Sequence, residues 1–335
     1  CEVNGQEASD LDYLLENVAI ATVADVMDLT EENRILVRQG LEMLERTSNL
    51  GLRSLIQCIG LEGKKIQAYH IGFILAPCLN ASGKLDTAKR ALALLRAKTE
   101  READILAGDL KALNESRRDM TDRVVDEAMA KVEQTDIRDD KVLVIYLPDC
   151  HESLAGLVAG RVRENYYRPV FVLTDAEDGV KGSGRSIESY SMYEELTKCS
   201  DLLTKFGGHP MAAGLSLDKN NVEEFRRRLN EQCTLSEEEL TEKVVIDMEL
   251  PFSGITEHFI EELAYLEPFG KGNTKPVFAA RGVTMQKVRI IGKNKNVAKA
   301  IAVDSAGNRV EAICFRDVQE FARQCEKNNG KMSIT

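Results

Sequence analysis

The sequence predicts an α/β protein built of several domains. Three observations carry that expectation: helix-period apolar spacing through most of the first 134 residues, alternating strand and helix patterns from Lys141 to about residue 230, and five short β-type runs after residue 243. At 335 residues the chain also exceeds what one hydrophobic core usually serves.

The elements follow in order. Residues 11–29 open with a short helical start, and the small apolar run Val18 to Ala24 reads as a buried strand that ends at Asp25. Thr30 is placed to cap a helix running to Leu44, and further helix follows to about Arg96, broken at Gly51, at Gly60 and by a loop from Pro77 to Gly83. Thr99 with Glu102 forms a capping box for a long connecting helix to about Gln134, with Leu106, Leu110, Leu113, Met120, Val124 and Ala128 on its expected inner face. Strands are expected at Val142 to Leu147 and Val170 to Leu173, with helices at Ser153 to Asn165, near 191–205 and near 220–230. An acidic stretch at 234–243 reads as a boundary. Beyond it, Val244 to Met248, Val277 to Ala280, Val283 to Ile291, Val297 to Val303 and Val310 to Phe315 read as the strands of an OB-type barrel.

Composition narrows the function classes. No apolar run approaches the roughly 20 residues needed to cross a bilayer, no leader-like segment opens the chain, and the eight cysteines show no paired metal-ligand spacing. A cytoplasmic protein without a membrane partner is the expectation. The net charge of −11 argues against indiscriminate nucleic-acid binding. From Lys271 to Val303, however, there are eight basic residues and no acidic one: Lys271, Lys275, Arg281, Lys287, Arg289, Lys293, Lys295 and Lys299. This is one basic surface on an acidic protein, or else a solvated strand face. The chain begins at Cys1 and stops at Ser333-Ile334-Thr335, which reads as a fragment.

Two glycine-rich segments are candidates for phosphate chemistry. In Lys181-Gly182-Ser183-Gly184-Arg185-Ser186 the glycines would let backbone approach an anion, Ser183 and Ser186 would donate hydroxyls, and Arg185 would offer a two-pronged grip. An ordinary turn has the same composition. Phe206-Gly207-Gly208-His209-Pro210 would turn sharply and present an imidazole, although a lone histidine is often only structural. Asn80-Ala81-Ser82-Gly83-Lys84 groups an amide, a hydroxyl and an ammonium around a glycine, although composition alone favours a plain helix start after Pro77. No GxSxG elbow is present, which leaves a serine-hydrolase reading without support.

In this order and combination the segments resemble the RecJ-type exonucleases of the DHH phosphoesterase superfamily. Thr22 to Leu29 is similar to the last metal-binding motif of the DHH domain, with Asp25 as ligand, and Asn80 to Leu85 is similar to its closing asparagine and glycine loop. His151 to Ala159 is similar to the opening of the DHH-associated domain. Gly182 to Ile187 and Phe206 to Ser216 are similar to its two substrate motifs, and Pro268 to Asn273 to the entrance of the OB domain.

The resemblance implies a domain division of 1–97, 98–135, 136–235 and 236–335. It implies single-strand-specific 5′-3′ DNA hydrolysis in recombination and repair, with two Mn²⁺ or Mg²⁺ ions in the intact enzyme. Asp25 and His209 would be catalytic. Asn80, Lys84, Ser183, Gly184, Arg185, Ser186, Gly207, Gly208, Lys271, Lys287, Arg289, Lys293 and Lys295 would bind nucleic acid. It further implies a monomer acting with a helicase and a single-strand-binding protein.

The departures matter as well. The chain has no Asp-His-His triplet, and Cys78 and Lys84 stand where the resemblance implies arginines, so the fragment alone is expected to be inactive. Two other readings remain: a phosphodiesterase for cyclic dinucleotides or short RNAs, which would not need the module after residue 244, and a catalytically silent DNA-binding scaffold.

Overall fold

The computed structural model describes residues 8–85, 88–292, 295–315, 318–327 and 332–334, with only the backbone described at 8–10, 82, 84, 85, 326 and 332–334. The chain divides into two compact units, Cys1–Leu41 with Val244–Thr335, and Glu42–Lys243.

The first unit joins the two ends of the chain. Helix α1 (Leu15–Ala24) lies against α2 (Glu31–Leu44), where a Cβ at Gly40 would come within 2.3 Å of the Leu15 carbonyl oxygen and 2.5 Å of the Ala19 Cβ. The strand expected at Val18 to Ala24 is therefore a helix. Its alanines are strong helix formers, and the small side chains that suggested a buried strand serve a close helix-helix contact. The unit's later part forms a two-stranded parallel pair, β6 (Met248–Glu249) with β7 (Phe278–Ala279), and a four-stranded antiparallel sheet. Its strands are β8 (Val283–Ile291), β9 (Val297–Val303), β10 (Arg309–Cys314) and β11 (Met332–Ile334), in the order β10-β9-β8-β11. Three of the five expected strands keep their extent to within a residue, the second shrinks to two residues, and of the first only Met248 is in a strand.

Helix α12 (Val318–Lys327) packs on β8 and β9, burying Cys325 beside Val283, Met285, Ala300 and Ala302, with Phe321 against them. A β-bulge interrupts the β8–β9 ladder between Gln286 and Arg289, with Lys287 at φ +53°. The extra residue shifts the alternation by one, so that Val288 rejoins the core face of Val283 and Met285.

In the second unit, α3 (Leu50–Cys58), α5 (Ala76–Leu85) and α6 (Lys89–Leu95) pack along α7 (Glu100–Gln134). A short α4 (Ala68–His70) and a π-helical turn at Ile71–Leu75 lead into α5. Pro77 has no N–H to give Phe73, so the regular α ladder cannot run through this point. The chain nevertheless stays helical from Ala76 to Leu85, and the loop expected at Pro77 to Gly83 is not formed.

Thr99 caps α7 by accepting from the Glu102 N–H at 3.2 Å. The buried seam of α7 is Ala103, Ala107, Leu110, Asn114, Thr121, Val125, Ala128 and Val132. Of the expected inner face only Leu110 and Ala128 are in it. Alanines line the seam because neighbouring helices approach closely there, which moves the larger Leu106, Leu113, Met120 and Val124 to half-buried flanks.

The α/β part has a five-stranded sheet ordered β1-β2-β3-β5-β4. Its strands are β1 (Leu143–Tyr146), β2 (Val170–Ala176), β3 (Gly179–Arg185), β4 (Leu203–His209) and β5 (Ala212–Leu217). β1 and β2 are parallel, joined by α8 (Glu152–Tyr166), and the remaining pairs are antiparallel. α7 and α8 cover one face through Leu143, Ile145, Val170 and Val172. α9 (Met192–Lys198) and α10 (Val222–Gln232) cover the other through Phe171, Leu173, Met192 and Phe225. The Gly-Ser segment, whose composition suits a phosphate-binding loop or an ordinary turn, is instead strand β3, in the middle of this sheet. No described helix is long and apolar enough to cross a membrane.

Candidate nucleic-acid-binding site

Side-chain alternation along β3 decides which residues of the Gly-Ser segment face outward. Gly182 and Gly184 face the core. A Cβ at Gly182 would fall 2.4 Å from Leu173 Cδ2, and one at Gly184 would fall 2.6 Å from Met192 Sδ and 2.7 Å from the Phe171 ring. These glycines are required by packing, not by the approach of an anion. Lys181, Ser183 and Arg185 take the opposite face, beside α8.

Strand register extends that face over β5 and β4. Ser183 lies opposite Gly214, which lies opposite Gly207, and Arg185 lies opposite Ala212, which lies opposite His209. Each row spans two strand spacings, about 10 Å. The middle of the face is bare: a Cβ at Gly207 would meet nothing within 4 Å, and one at Gly214 only the Gly182 oxygen at 3.9 Å. Backbone accessible to a ligand is thus supplied by Gly207 and Gly214. Gly208 instead packs on β5, where a Cβ would come within 2.4 Å of the Ala212 oxygen, and its φ is +150°.

Between this face and the start of α8 lies a cleft of about 640 Å³, lined among others by His151, Ser153, Lys181, Ser183, Lys205 and Gly207. His151 caps α8 by accepting from the Ser153 N–H at 3.2 Å, and its Nδ1 lies 2.8 Å from the Ser153 hydroxyl. The positive end of a 15-residue helix therefore opens onto the cleft. Glu152 offsets part of that field through an ion pair with Lys181 at 2.9 Å, and it is this pairing that raises the lysine's pKa. The sequence reading did not single out His151, Ser153 or Lys205 as site residues. The signal that could have found the first two is a histidine followed by serine just ahead of the predicted helix.

The other expected residues separate into distinct environments. Arg185 is half-buried, donates to its neighbour's Gly184 oxygen at 2.8 Å, and packs over Gly156, where a Cβ would touch its guanidinium at 2.7 Å. Desolvation, and then the charge of Arg163, lower its pKa. Ser183 and His209 have no protein hydrogen-bond partner through their side chains among the described residues. Ser186 faces inward, buried, and its hydroxyl donates to the Tyr190 oxygen at 2.6 Å, so it cannot serve a ligand in this structure.

Asn80 is exposed on α5, in a helix instead of the expected loop. The side chain of Lys84 lies outside the described residues. Cys78 is buried beneath Asn114, which donates to its sulfur at 3.5 Å, and burial pushes the thiol pKa up. Asp25 is exposed at the C-terminal end of α1, not at the end of a buried strand. The described residues contain no group of three or more His, Cys, Asp or Glu able to hold a metal ion. Among the basic residues of the first unit, Lys271 pairs with Asp28 at 3.0 Å, whereas Lys287, Arg289 and Lys295 have no ion-pair partner among the described residues. Lys293 lies outside the described residues.

Two family models match, the DHHA1 domain over residues 139–235 and the RecJ OB domain over residues 246–335. The single-stranded-DNA-specific exonuclease RecJ of Bacillus subtilis is 37% identical over 91% of this chain and 39% of its own length. The chain belongs to the RecJ family. The Salmonella typhimurium RecJ is 33% identical, with 92% of this chain and 56% of that protein aligned. The crystal structure of Thermus thermophilus RecJ in complex with Mg²⁺ superposes with a TM-score of 0.79 at 29% identity, over 91% of this chain and 47% of that one. Its Mn²⁺ complex gives 0.77. The chain thus spans about half or less of the length of these RecJ proteins, and its α/β fold with DHHA1 and OB domains is theirs.

Proposed function

We propose that this RecJ-family chain supplies the strand-binding and end-anchoring part of a metal-dependent, single-strand-specific 5′-3′ DNA exonuclease of recombination and repair. The observation that carries the reading is the shared face on which Ser183, Arg185 and His209 stand around a bare glycine floor, the serine and histidine uncommitted to protein partners among the described residues. Arg185 and Ser183 would hold a terminal 5′-phosphate, the guanidinium by its fork and the serine by its hydroxyl. His209 would donate from its imidazole to the next phosphate and steady its charge. The start of α8 adds a favourable field for an anion.

The domain division 1–97, 98–135, 136–235 and 236–335 belongs to this proposal, as do a monomeric state, a cytoplasmic setting, and work beside a helicase and a single-strand-binding protein. Two divalent ions, Mn²⁺ or Mg²⁺, would serve the whole enzyme. The described residues of this chain do not fit a centre for them, since Asp25 stands exposed without fellow ligands.

The test is binding of the chain, at two salt concentrations, to a long single strand bearing a 5′-phosphate, to the same strand with a 5′-hydroxyl, and to a dinucleotide. Salt-sensitive, length-dependent binding is expected. Arg185→Ala should weaken the 5′-phosphorylated strand about tenfold more than the 5′-hydroxyl strand, the scale of one charge-assisted contact. Equal loss on both strands removes the end anchor, and preference for the dinucleotide favours a small-nucleotide phosphodiesterase.

A further inference from the structure

Three arginines gather where α7 and α8 lie side by side, away from the cleft at the start of α8. Arg117 of α7 is half-buried, and its Nη2 donates to the Asn114 Oδ1 at 2.8 Å. Asn114 is itself 7% exposed and fixed by its bond to Cys78, so the guanidinium is held in one orientation. Its Nε is buried and has no hydrogen-bond partner. Arg118 of α7 and Arg161 of α8 are exposed, and neither has an ion-pair or hydrogen-bond partner through its side chain among the described residues. Both charges act on Arg117, lowering its pKa after the larger effect of burial.

Arg226 and Arg228 of this unit, by contrast, are matched by carboxylates, the first by Asp136 and Asp140 and the second by Asp201 and Glu224. A preoriented guanidinium with a buried donor left over, flanked by two like charges, is an arrangement that an anion would complete.

We propose that Arg117, Arg118 and Arg161 form a second phosphate site, which grips a backbone phosphodiester of the bound strand beyond its anchored end. The proposal rests on the reading of this chain as a single-strand binder. Arg185 packs over Gly156, and Arg161 lies five residues further along α8, about 7.5 Å at 1.5 Å per residue. A stacked strand rising ~3.4 Å per nucleotide covers that in about two nucleotides. The site is therefore reached by a phosphodiester beyond the anchored phosphate and not by a mononucleotide.

The experiment compares wild type, Arg161→Gln and Arg117→Gln in binding a 5′-phosphorylated mononucleotide and a 5′-phosphorylated oligothymidylate of about a dozen nucleotides, over a salt series, by fluorescence anisotropy. Arg161 is exposed, so its replacement leaves the fold intact even if the half-buried Arg117 does not tolerate change. Each variant should lose about five- to tenfold in affinity for the oligonucleotide, with the slope of log K against log salt reduced by about 0.7, and neither should lose affinity for the mononucleotide. Unchanged oligonucleotide affinity and slope for Arg161→Gln would overturn the site, as would equal losses on both ligands. If wild type binds the oligonucleotide without salt dependence, the functional reading falls and the site with it. If wild type binds as expected and Arg185→Ala shows its end effect while Arg161→Gln does nothing, only the second site falls.

Discussion

Gly182 and Gly184 show how one residue type serves two purposes within a single sheet. In composition they match a phosphate-approaching loop, yet in β3 they are the positions where Leu173, Phe171 and Met192 leave no room for a Cβ. The open backbone lies across the sheet at Gly207 and Gly214. Gly184→Ala should therefore act on stability: overpacking of this size costs about 1–3 kcal/mol, read as a fall in the thermal midpoint. The salt slope of strand binding should stay the same, and a variant of undiminished stability that binds poorly would return Gly184 to the ligand. Ser183, Arg185 and His209 were legible as candidates because a hydroxyl, a guanidinium and an imidazole among glycines suit an anion, and strand register sets all three on one face. Ser186 was not separable from Ser183, since only the inward turn after β3 spends its hydroxyl on Tyr190.

Ion pairing between elements sets a further dependence. Arg226 of α10 reaches Asp140 at 2.6 Å and Asp136 at 3.1 Å, pinning α10 to the turn that follows α7. Both Arg226 and Asp140 are 18% exposed at the side chain, so removing the arginine leaves a carboxylate largely desolvated. Arg226→Ala should cost about 2–3 kcal/mol near neutral pH, measured by denaturant unfolding.

The pH dependence has a definite sign. Hydrogen bonding to Arg226, and then its charge, hold Asp136 below its ordinary value of 3.8. A depressed folded-state pKa contributes stability above the unfolded value and loses it as pH falls through the folded value. The difference in stability between wild type and Arg226→Ala should narrow below about pH 4, and a difference that stays constant down to about pH 2 would assign the loss to packing. Elements with strong periodicity were read correctly from sequence, as α7, α8 and β8 show. α12 was missed although Val318, Phe321, Ala322 and Cys325 follow a helical period, because the strand-type runs just before it dominate the pattern of that stretch. α1 was misread because small apolar residues suit a buried strand and a tight helix contact equally.

The whole molecule joins segments that are more than two hundred residues apart in the chain. Leu29 donates its N–H to the Lys271 oxygen at 2.7 Å, Arg34 donates to the Tyr265 oxygen at 2.8 Å, and a Cβ at Gly270 would strike Leu29. The loop from Pro268 to Asn273, expected to begin a nucleic-acid surface, is thus also the seat of the first helices. Lys271 is drawn into that packing by Asp28. Lys287, Arg289 and Lys295 remain as cations without ion pairs among the described residues, on and beside β8. Replacing these three together with glutamine should flatten the salt dependence of binding by about 0.7 for each phosphate no longer neutralised, whereas Lys271→Gln should leave the slope close to wild type. An unchanged slope in the triple variant would make that stretch a solvated strand face.

By itself the sequence determined the class of the molecule. Periodic apolar spacing marked the long helix, two of the five strands of the α/β part and the three long strands β8 to β10, and segregated charge marked a basic face in an acidic chain, because these signals are local and repeat along the backbone. Tertiary structure alone decided which side of β3 faces a ligand, which glycines are bare, and which arginines are left without counter-charge. It also decided that the chain's two ends share a unit. Each of those depends on strand register or on contacts between distant segments, and one residue of register reverses every side chain of a strand. Composition carries no record of that choice.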